Sequence, residues 1–418
     1  MSSKKTYSIH ALVIWVAISI PLFVSFGKKD NKPDLVGLVI SDTKPKLNSE
    51  NWFSGNYQTE MDDYNNDHWA YKEKMVRINN QFYYDCFNQI RVNGFVVGKE
   101  DYVFSESYIF SAYGDDDINE NNIVTLMQKA KVVQDTLAKK GIDLLFVYAP
   151  GKGKYCDEFI EDKYKHPVKQ TNHSLFLKHG TEKGINQLDL YTYFLKLKAT
   201  TKYPLFPKFG HHWSYYGECI AVDTIIKHIE KLHKVQMPHL VWNEVEVVDT
   251  ARNRDADVLK SMNLLNNPDQ NMKLAYPKIG FINDTLNYTR VLTISDSYWW
   301  GPVYMGVPSY CFAGGQFWYY YNRVVPSPVQ GQKVEVWQLD LKEGIESNDV
   351  VMLLYSDGNL SGFGNEFIND AYEMYTSPAT FKVRMEKKRA IQTYAKEIRE
   401  TPVLLKKATQ KSNDLRIP

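Results

Sequence analysis

The chain is 418 residues long, and its 50 Lys and Arg nearly balance its 49 Asp and Glu, for a formal charge of +1. That length can bury one large core or two modest ones, and the even charge carries no electrostatic footprint for nucleic acid, which is excluded as a partner class. Four cysteines (Cys86, Cys156, Cys219, Cys311) stand far apart with no CxxC spacing, so no zinc or redox motif exists; two disulfides or free thiols are equally compatible with them.

In chain order, Lys4 and Lys5 precede an apolar run from Ile9 to Phe26, broken only by His10 near its start and closed by Gly27-Lys28-Lys29. Such a run just suffices to cross a bilayer core as a helix. No A-x-A-like site precedes Lys28, which argues against a cleaved signal. Residues 1–27 are therefore expected to form an uncleaved signal-anchor, with the remainder on the periplasmic or extracellular side. Lysines at both ends leave the positive-inside rule nearly silent. Residues 28–50 are polar and Pro-containing, a tether with one short strand at Leu35–Ile40.

From Tyr57 the pattern turns helical as far as Phe87, then breaks into short β-like runs between Val92 and Phe104. Ile123, Leu126, Met127, Ala130, Val133 and Leu137 recur at helical spacing over 121–140, and Gly141 is placed to end that helix. A buried strand over 142–148 follows, ending at Ala149-Pro150-Gly151-Lys152. A helical stretch near 174–179 precedes another strand at 185–190. This alternation predicts a parallel sheet covered by helices.

Residues 203–217, YPLFPKFGHHWSYYG, form a dense loop of turn formers and aromatics, followed by an amphipathic helix over 218–231. Mixed β and loop structure is expected over 240–248 and 273–288, and a buried strand over 349–355. The main domain is expected to span 51–376, with a Lys/Arg/Glu-rich helical tail over 377–418 that reads as a solvated face or docking helix. Aromatics make up 14% of the chain, many of them in polar company such as Trp318-Tyr319-Tyr320-Tyr321; they serve core packing or offer flat faces to sugar rings.

The stretch with the clearest chemical grammar is Arg290 to Trp300, RVLTISDSYWW. A β-branched apolar run leads into Ser295-Asp296-Ser297, the pattern of a buried strand that delivers a small nucleophile to the tip of a sheet. A serine hydroxyl needs a base and oxyanion donors to react. Among the ten histidines, His211-His212-Trp213 is distinctive: it opens a helix, and Trp213 offers a wall to hold an imidazole. Adjacent histidines point apart and no further ligand stands at metal spacing, so no metal site is expected.

Taken together, GHHWSYYG and the later SDS after an apolar strand resemble the alginate O-acetyltransferase family of SGNH-hydrolase-like proteins, the DHHW family. Gly98 to Phe104 is similar to that family's G-K-x-G-W-L-F element, Ala149 to Lys152 to its P-x-K, and Phe317 to Asn322 to the aromatic segment after the serine. The resemblance covers roughly residues 50 to 375. It implies a flavodoxin-like α/β fold of SGNH type, circularly permuted so that the histidine precedes the serine. It also implies a membrane-anchored O-acetyltransferase that receives acetyl groups from a membrane-bound O-acyltransferase and passes them to an exported or cell-surface polysaccharide, with no cofactor. Ser297 maps to the nucleophile that carries the acetyl group and His212 to the base; the Ser297 N–H and Asn322 are candidate oxyanion donors, with Tyr321 and Trp213 near the substrate. The family's Asp-x-His-Trp would put an aspartate at 210, where this chain has Gly210. Three accounts are open: a backbone carbonyl or another acid, with Asp189 and Asp296 as candidates, orients His212 in its place; a Ser-His dyad suffices; or the site is degraded. An Asp before a nucleophile commonly hydrogen-bonds the turn. An SGNH-type esterase and a non-catalytic glycan-binding scaffold subunit are the competing readings.

Overall fold

A computed structural model describes residues 10–16, 19, 34–37, 42–68, 71–282 and 288–400. The expected membrane span at 9–26 falls mostly outside the described residues, which include helix at 10–16 and 19; among the described residues no helix is long and apolar enough to cross a membrane. Part of the strand expected at 35–40 also lies outside them, and residues 34–37 are irregular.

Among the described residues ten strands follow in chain order: β1 Phe95–Val97, β2 Val103–Ser105, β3 Asp143–Ala149, β4 Gln187–Asp189, β5 His239–Val248, β6 Leu274–Ile282, β7 Val291–Ser295, β8 Phe317–Tyr319, β9 Arg323–Val325 and β10 Val350–Ser356. Strands β1 and β2 form one antiparallel pair and β5 and β6 another; the central sheet has the order β4-β3-β10-β7-β8-β9. The expectation of a wholly parallel sheet needs one correction. Strands β4, β3, β10, β7 and β8 run parallel, but β9 returns antiparallel on β8. Tyr320 and Tyr321 make this return in left-handed conformations, φ 49° and 52°, and a three-residue edge strand is too short to leave a periodic signal.

The strands alternate between two cores, as the period of two requires. On one face Leu145, Val147, Met352 and Leu354 pack under the helix Tyr215–His233 through Val222, Ile225, Ile226 and Ile229. On the other, Leu144, Phe146, Val351 and Leu353 meet the helices Glu120–Ala138, Asn172–Lys183 and Phe367–Thr376. The architecture is thus α/β with helices on both faces. The helix Glu120–Ala138 starts where the Asn119 side chain accepts from Asn121 N, and the chain turns away at Gly141, φ 76°. Ser214 caps the helix Tyr215–His233 by accepting from Gly217 N at 3.1 Å.

A third, smaller core lies beside the sheet. Val103, Phe209, Ala256, Val258, Leu259 and Met262 bury one another, which ties β2, the loop before Trp213 and the short helix Asp257–Ser261 into one unit. A long helix, Pro378–Glu400, leaves the domain and is anchored by Arg384, which donates to Asp370 at 2.6 Å. All four cysteines are free.

Candidate active site

The carboxyl ends of β3, β7, β8 and β10 converge at one edge of the sheet, where open α/β sheets present ligands. Strand β7 is fully buried and ends at Ser295, whose hydroxyl donates to Leu354 O at 2.6 Å. Asp296 then caps a turn of 3₁₀ helix, Ser297–Trp299, accepting from Tyr298 N at 2.9 Å. Its other oxygen accepts from Ser356 N at 2.9 Å, Ser356 Oγ at 2.7 Å and Asn359 Nδ2 at 2.9 Å. Four donors from two neighbouring turns saturate this buried carboxylate and lock the serine turn to the end of β10.

Ser297 Oγ lies 2.8 Å from His212 Nε2, and His212 Nδ1 lies 3.0 Å from Asp257 Oδ2. A carboxylate only accepts, so Nδ1 carries the ring proton and Nε2 is left to accept the serine hydroxyl. Burial drives the His212 imidazole below its usual pKa; the bond to Asp257 works the other way, and the Arg254 charge adds to the depression. The base therefore stands neutral at neutral pH. For Asp257, burial alone would raise the pKa, but the bond from His212, the two histidines' charges and the His211 N–H outweigh it and hold the carboxyl below its ordinary range. Asp257 Oδ1 accepts that His211 N–H at 2.9 Å.

Gly210 explains why the acid comes from elsewhere. A Cβ at 210 would lie 2.4 Å from Pro207 Cγ and 2.9 Å from the main-chain oxygen of Asp255. The 253–257 segment occupies the space that an aspartate at 210 would need, and it brings Asp257 with it. Lys152, 1% exposed, holds the same loop from below by donating to Lys208 O at 2.6 Å and Gly210 O at 3.1 Å. Burial brings its ammonium down to about 7.

The structure brings Ser297 and His212 together but not the expected acids. Asp296 is consumed by its four donors. Asp189 pairs with His173 Nε2 at 3.0 Å and caps Thr192 N at 2.9 Å; it ends β4, with β3 and β10 between it and β7. Asn322 is exposed, and its main chain, not its amide, is engaged, with Tyr319 O and Val336 N. Tyr321 points into the opposite core, donating to Asp370 Oδ2 at 2.9 Å and packing on Trp318 and Phe367. Trp213 is buried, donates to Glu218 Oε1 at 3.1 Å and packs on Tyr298; the rings edge-on to His212 are His211, at 4.7 Å, and Tyr298, at 5.1 Å.

Four further residues meet at the site: Asp257, Arg254 and Asn359 lie in no motif, and Tyr320 lies within the aromatic segment Phe317 to Asn322, which does not single it out. Asp257 lies 45 residues beyond His212, and only the acidic doublet in Arg254-Asp255-Ala256-Asp257 marks it. Arg254 Nη2 donates to Ser297 O at 3.0 Å. Tyr320 lies close to both Ser297 and Asn359, which ease its ionisation, while burial and the nearby Asp296 raise its pKa and keep it protonated. Asn359, on the turn after β10, is the amide fixed beside Asp296. Among the described residues no group of three or more His, Cys, Asp or Glu side chains is arranged to hold a metal ion.

Residues 95–273 match the family model described as SGNH hydrolase-like domain, acetyltransferase AlgX. The match takes in Gly210, His212 and Asp257 and stops short of Ser297. No curated protein matches the chain. Among solved structures, the O-acetyltransferase domain of Pseudomonas putida AlgJ is 15% identical over 67% of this chain and 99% of that one, with a TM-score of 0.43. Bacillus cereus PatB1 is 14% identical over 60% and 93%, at 0.37, and Pseudomonas aeruginosa AlgX 9% identical over 66% of each chain, at 0.39. The likeness to SGNH hydrolase-like acetyltransferases is thus carried by residues 95–273, less than half of the chain.

Proposed function

We propose that the protein is a membrane-anchored O-acetyltransferase acting on an exported or cell-surface polysaccharide, with a circularly permuted SGNH domain outside the membrane. A membrane-bound O-acyltransferase supplies the acetyl group. The observation that carries this reading is the unbroken relay from Ser297 through His212 to Asp257. His212 Nε2 takes the Ser297 proton as Oγ adds to the acetyl carbonyl, and returns it to the donor's leaving oxygen, which leaves an acetyl ester on the serine. A sugar hydroxyl then gives its proton to Nε2 and takes the acetyl group, which frees Ser297. Asp257 fixes the tautomer and stabilises the imidazolium in both halves. The Ser297 N–H and the Tyr320 hydroxyl, kept protonated beside the serine, are the donors for the oxyanion.

The competing reading of a non-catalytic scaffold draws on Gly210 and on the aromatic-rich surface; Asp257 beside His212 weakens the first of these supports. The test uses the full-length protein and p-nitrophenyl acetate. An acetyl group should be found on Ser297 by mass spectrometry, absent from Ser297→Ala and slow to form in His212→Ala, and oligosaccharide should accelerate its release. Acetylation elsewhere, or none in the wild type, would overturn the reading.

A further inference from the structure

Behind the serine turn lies a cavity of about 460 Å³, walled by Trp213, Glu218, Arg254, Asp255, Tyr276 and Tyr304 among others. It joins the relay at Arg254. That side chain lines the cavity and holds the Ser297 carbonyl through Nη2, while its buried Nη1 makes no hydrogen bond. Two buried carboxyls face the same space. Burial lifts Glu218 to about 7 although Arg254 pulls it down, and burial lifts Asp255 to about 7 against the bonds from Tyr276 and Tyr215. The Glu218 side chain reaches its place only because residue 301 is glycine: a Cβ there would lie 1.5 Å from Glu218 Oε1.

The cavity also opens onto a run of aromatic rings that ends at the nucleophile. Tyr304, 74% exposed at the cavity wall, stacks on Trp300 at 5.8 Å. Trp300 meets Tyr319 edge-on at 5.5 Å, and Tyr319 leans on Tyr320 at 4.7 Å, beside Ser297. Aromatic faces of this kind take the apolar face of a sugar ring, while hydroxyls around the ring satisfy carboxyls and a guanidinium. We infer that this cavity and the Tyr304–Trp300–Tyr319 track form the acceptor subsite, and that it takes an uncharged, hydroxyl-bearing sugar rather than a uronate. A ring hydroxyl can donate to Glu218 or Asp255 and accept from Arg254. A carboxylate ligand would gain the guanidinium but would lie against two carboxyls in a poorly solvated wall.

The inference rests on the acetyltransferase reading, yet the two fail separately, because acetylation of Ser297 by p-nitrophenyl acetate does not require the cavity. Full-length protein carrying Ser297→Ala, so that no turnover intervenes, is presented to an array of neutral and uronate-bearing oligosaccharides. Binding to neutral glycans is expected, weakened about tenfold or more when Tyr304→Ala is added. Tyr304 is largely exposed, so its loss leaves the fold intact, which an unchanged melting curve verifies. Glu218→Gln keeps the shape of the wall and removes one of its two titrating protons, so it should weaken the pH dependence of binding near neutrality and leave the part that Asp255 supplies. Binding confined to uronates, neutral binding indifferent to Tyr304→Ala, or no glycan bound at all would overturn the inference.

Discussion

Ser297 and His212 meet across 2.8 Å, yet the segments that carry them are held by different means. The serine turn is an extension of the sheet. Strand β7 pairs with β10 on one side and β8 on the other, and Asp296 bolts the turn to the residues that leave β10. The histidine loop has no strand beneath it. Its place is set by Val103 N donating to Lys208 O, Leu259 N donating to Phe209 O, Lys152 under two of its carbonyls, and Asp257 over its imidazole. One half of the site is fixed by continuous strand ladders and the other by a few single contacts, although both join residues far apart in sequence. Damage to the second half should therefore spread into geometry, where damage to the first removes one atom's chemistry.

The largest expected effect on the histidine side comes from Asp257→Asn. The amide presents a donor or a weak acceptor to Nδ1, the ring loses its preferred tautomer, and acyl transfer should fall about 10²–10⁴-fold. Its pH profile supplies a second readout. Asp257 raises the pKa of His212, so its removal lets the imidazole drop further and moves the acid limb of kcat/KM to lower pH even as the plateau falls. An acid limb that stays put, or rises, would show that another group orients the ring.

Gly210→Asp in the Asp257→Asn background sharpens the comparison. Restoring the family's acid would rescue activity if the loop had room for it. The close approach of Pro207 and the Asp255 main chain denies that room, so no rescue is expected, and overpacking should cost about 1–3 kcal/mol in chemical denaturation. Recovery of even a tenth of wild-type kcat would break the argument that the 253–257 segment displaced the older acid.

Lys152→Met tests the tether itself. Methionine keeps an unbranched apolar stem, but it removes the ammonium that lies over the Tyr102 and Phe104 rings and leaves the Lys208 and Gly210 carbonyls without their donor. Stability should fall by about 1–3 kcal/mol. Acyl transfer should fall by about tenfold through kcat, with KM for p-nitrophenyl acetate unchanged, because the base is misplaced and not lost. A loss in KM alone would assign Lys152 to binding.

The same contrast explains what could be read in the sequence. Apolar runs at period two announced β3, β7 and β10, and a run that breaks at Ser295-Asp296-Ser297 announced the serine turn, because these signals sit within ten residues of the atoms they describe. His212 was legible through its motif. Asp257 was not, since its partnership depends on how the segment after β5 folds back on β2, which no local pattern encodes. The assignments of Asp189 and Asp296 failed for a related reason: proximity in sequence to a strand end or to the serine says nothing about which donors a carboxylate already serves. Asn322 and Tyr321 were misplaced by the unrecognised return into β9, which turns one outward and the other into the far core.

Asp357 lies on the seam between the two halves and should give the smallest effect. It follows β10 on the serine side and packs against Gly151, where a Cβ would lie 1.7 Å from its Oδ1, next to the Lys152 tether. It is 3% exposed, Oδ1 accepts from Gly358 N at 2.8 Å, and Oδ2 has no partner. Burial pushes its carboxyl up to about 8, above the ordinary value of about 3.9 that it takes in the unfolded chain. A carboxyl raised in the folded state binds more protons there than in the unfolded chain. Its contribution is complete below the unfolded pKa and drains away as pH rises toward the folded one. An amide at this position stays neutral throughout, so in denaturant titrations Asp357→Asn should match or trail the wild type near pH 4 and gain on it steadily up to about pH 8. Parallel stability curves would mean that Asp357 is already ionised in the fold, and the seam would then be held by charge and not by a buried neutral acid.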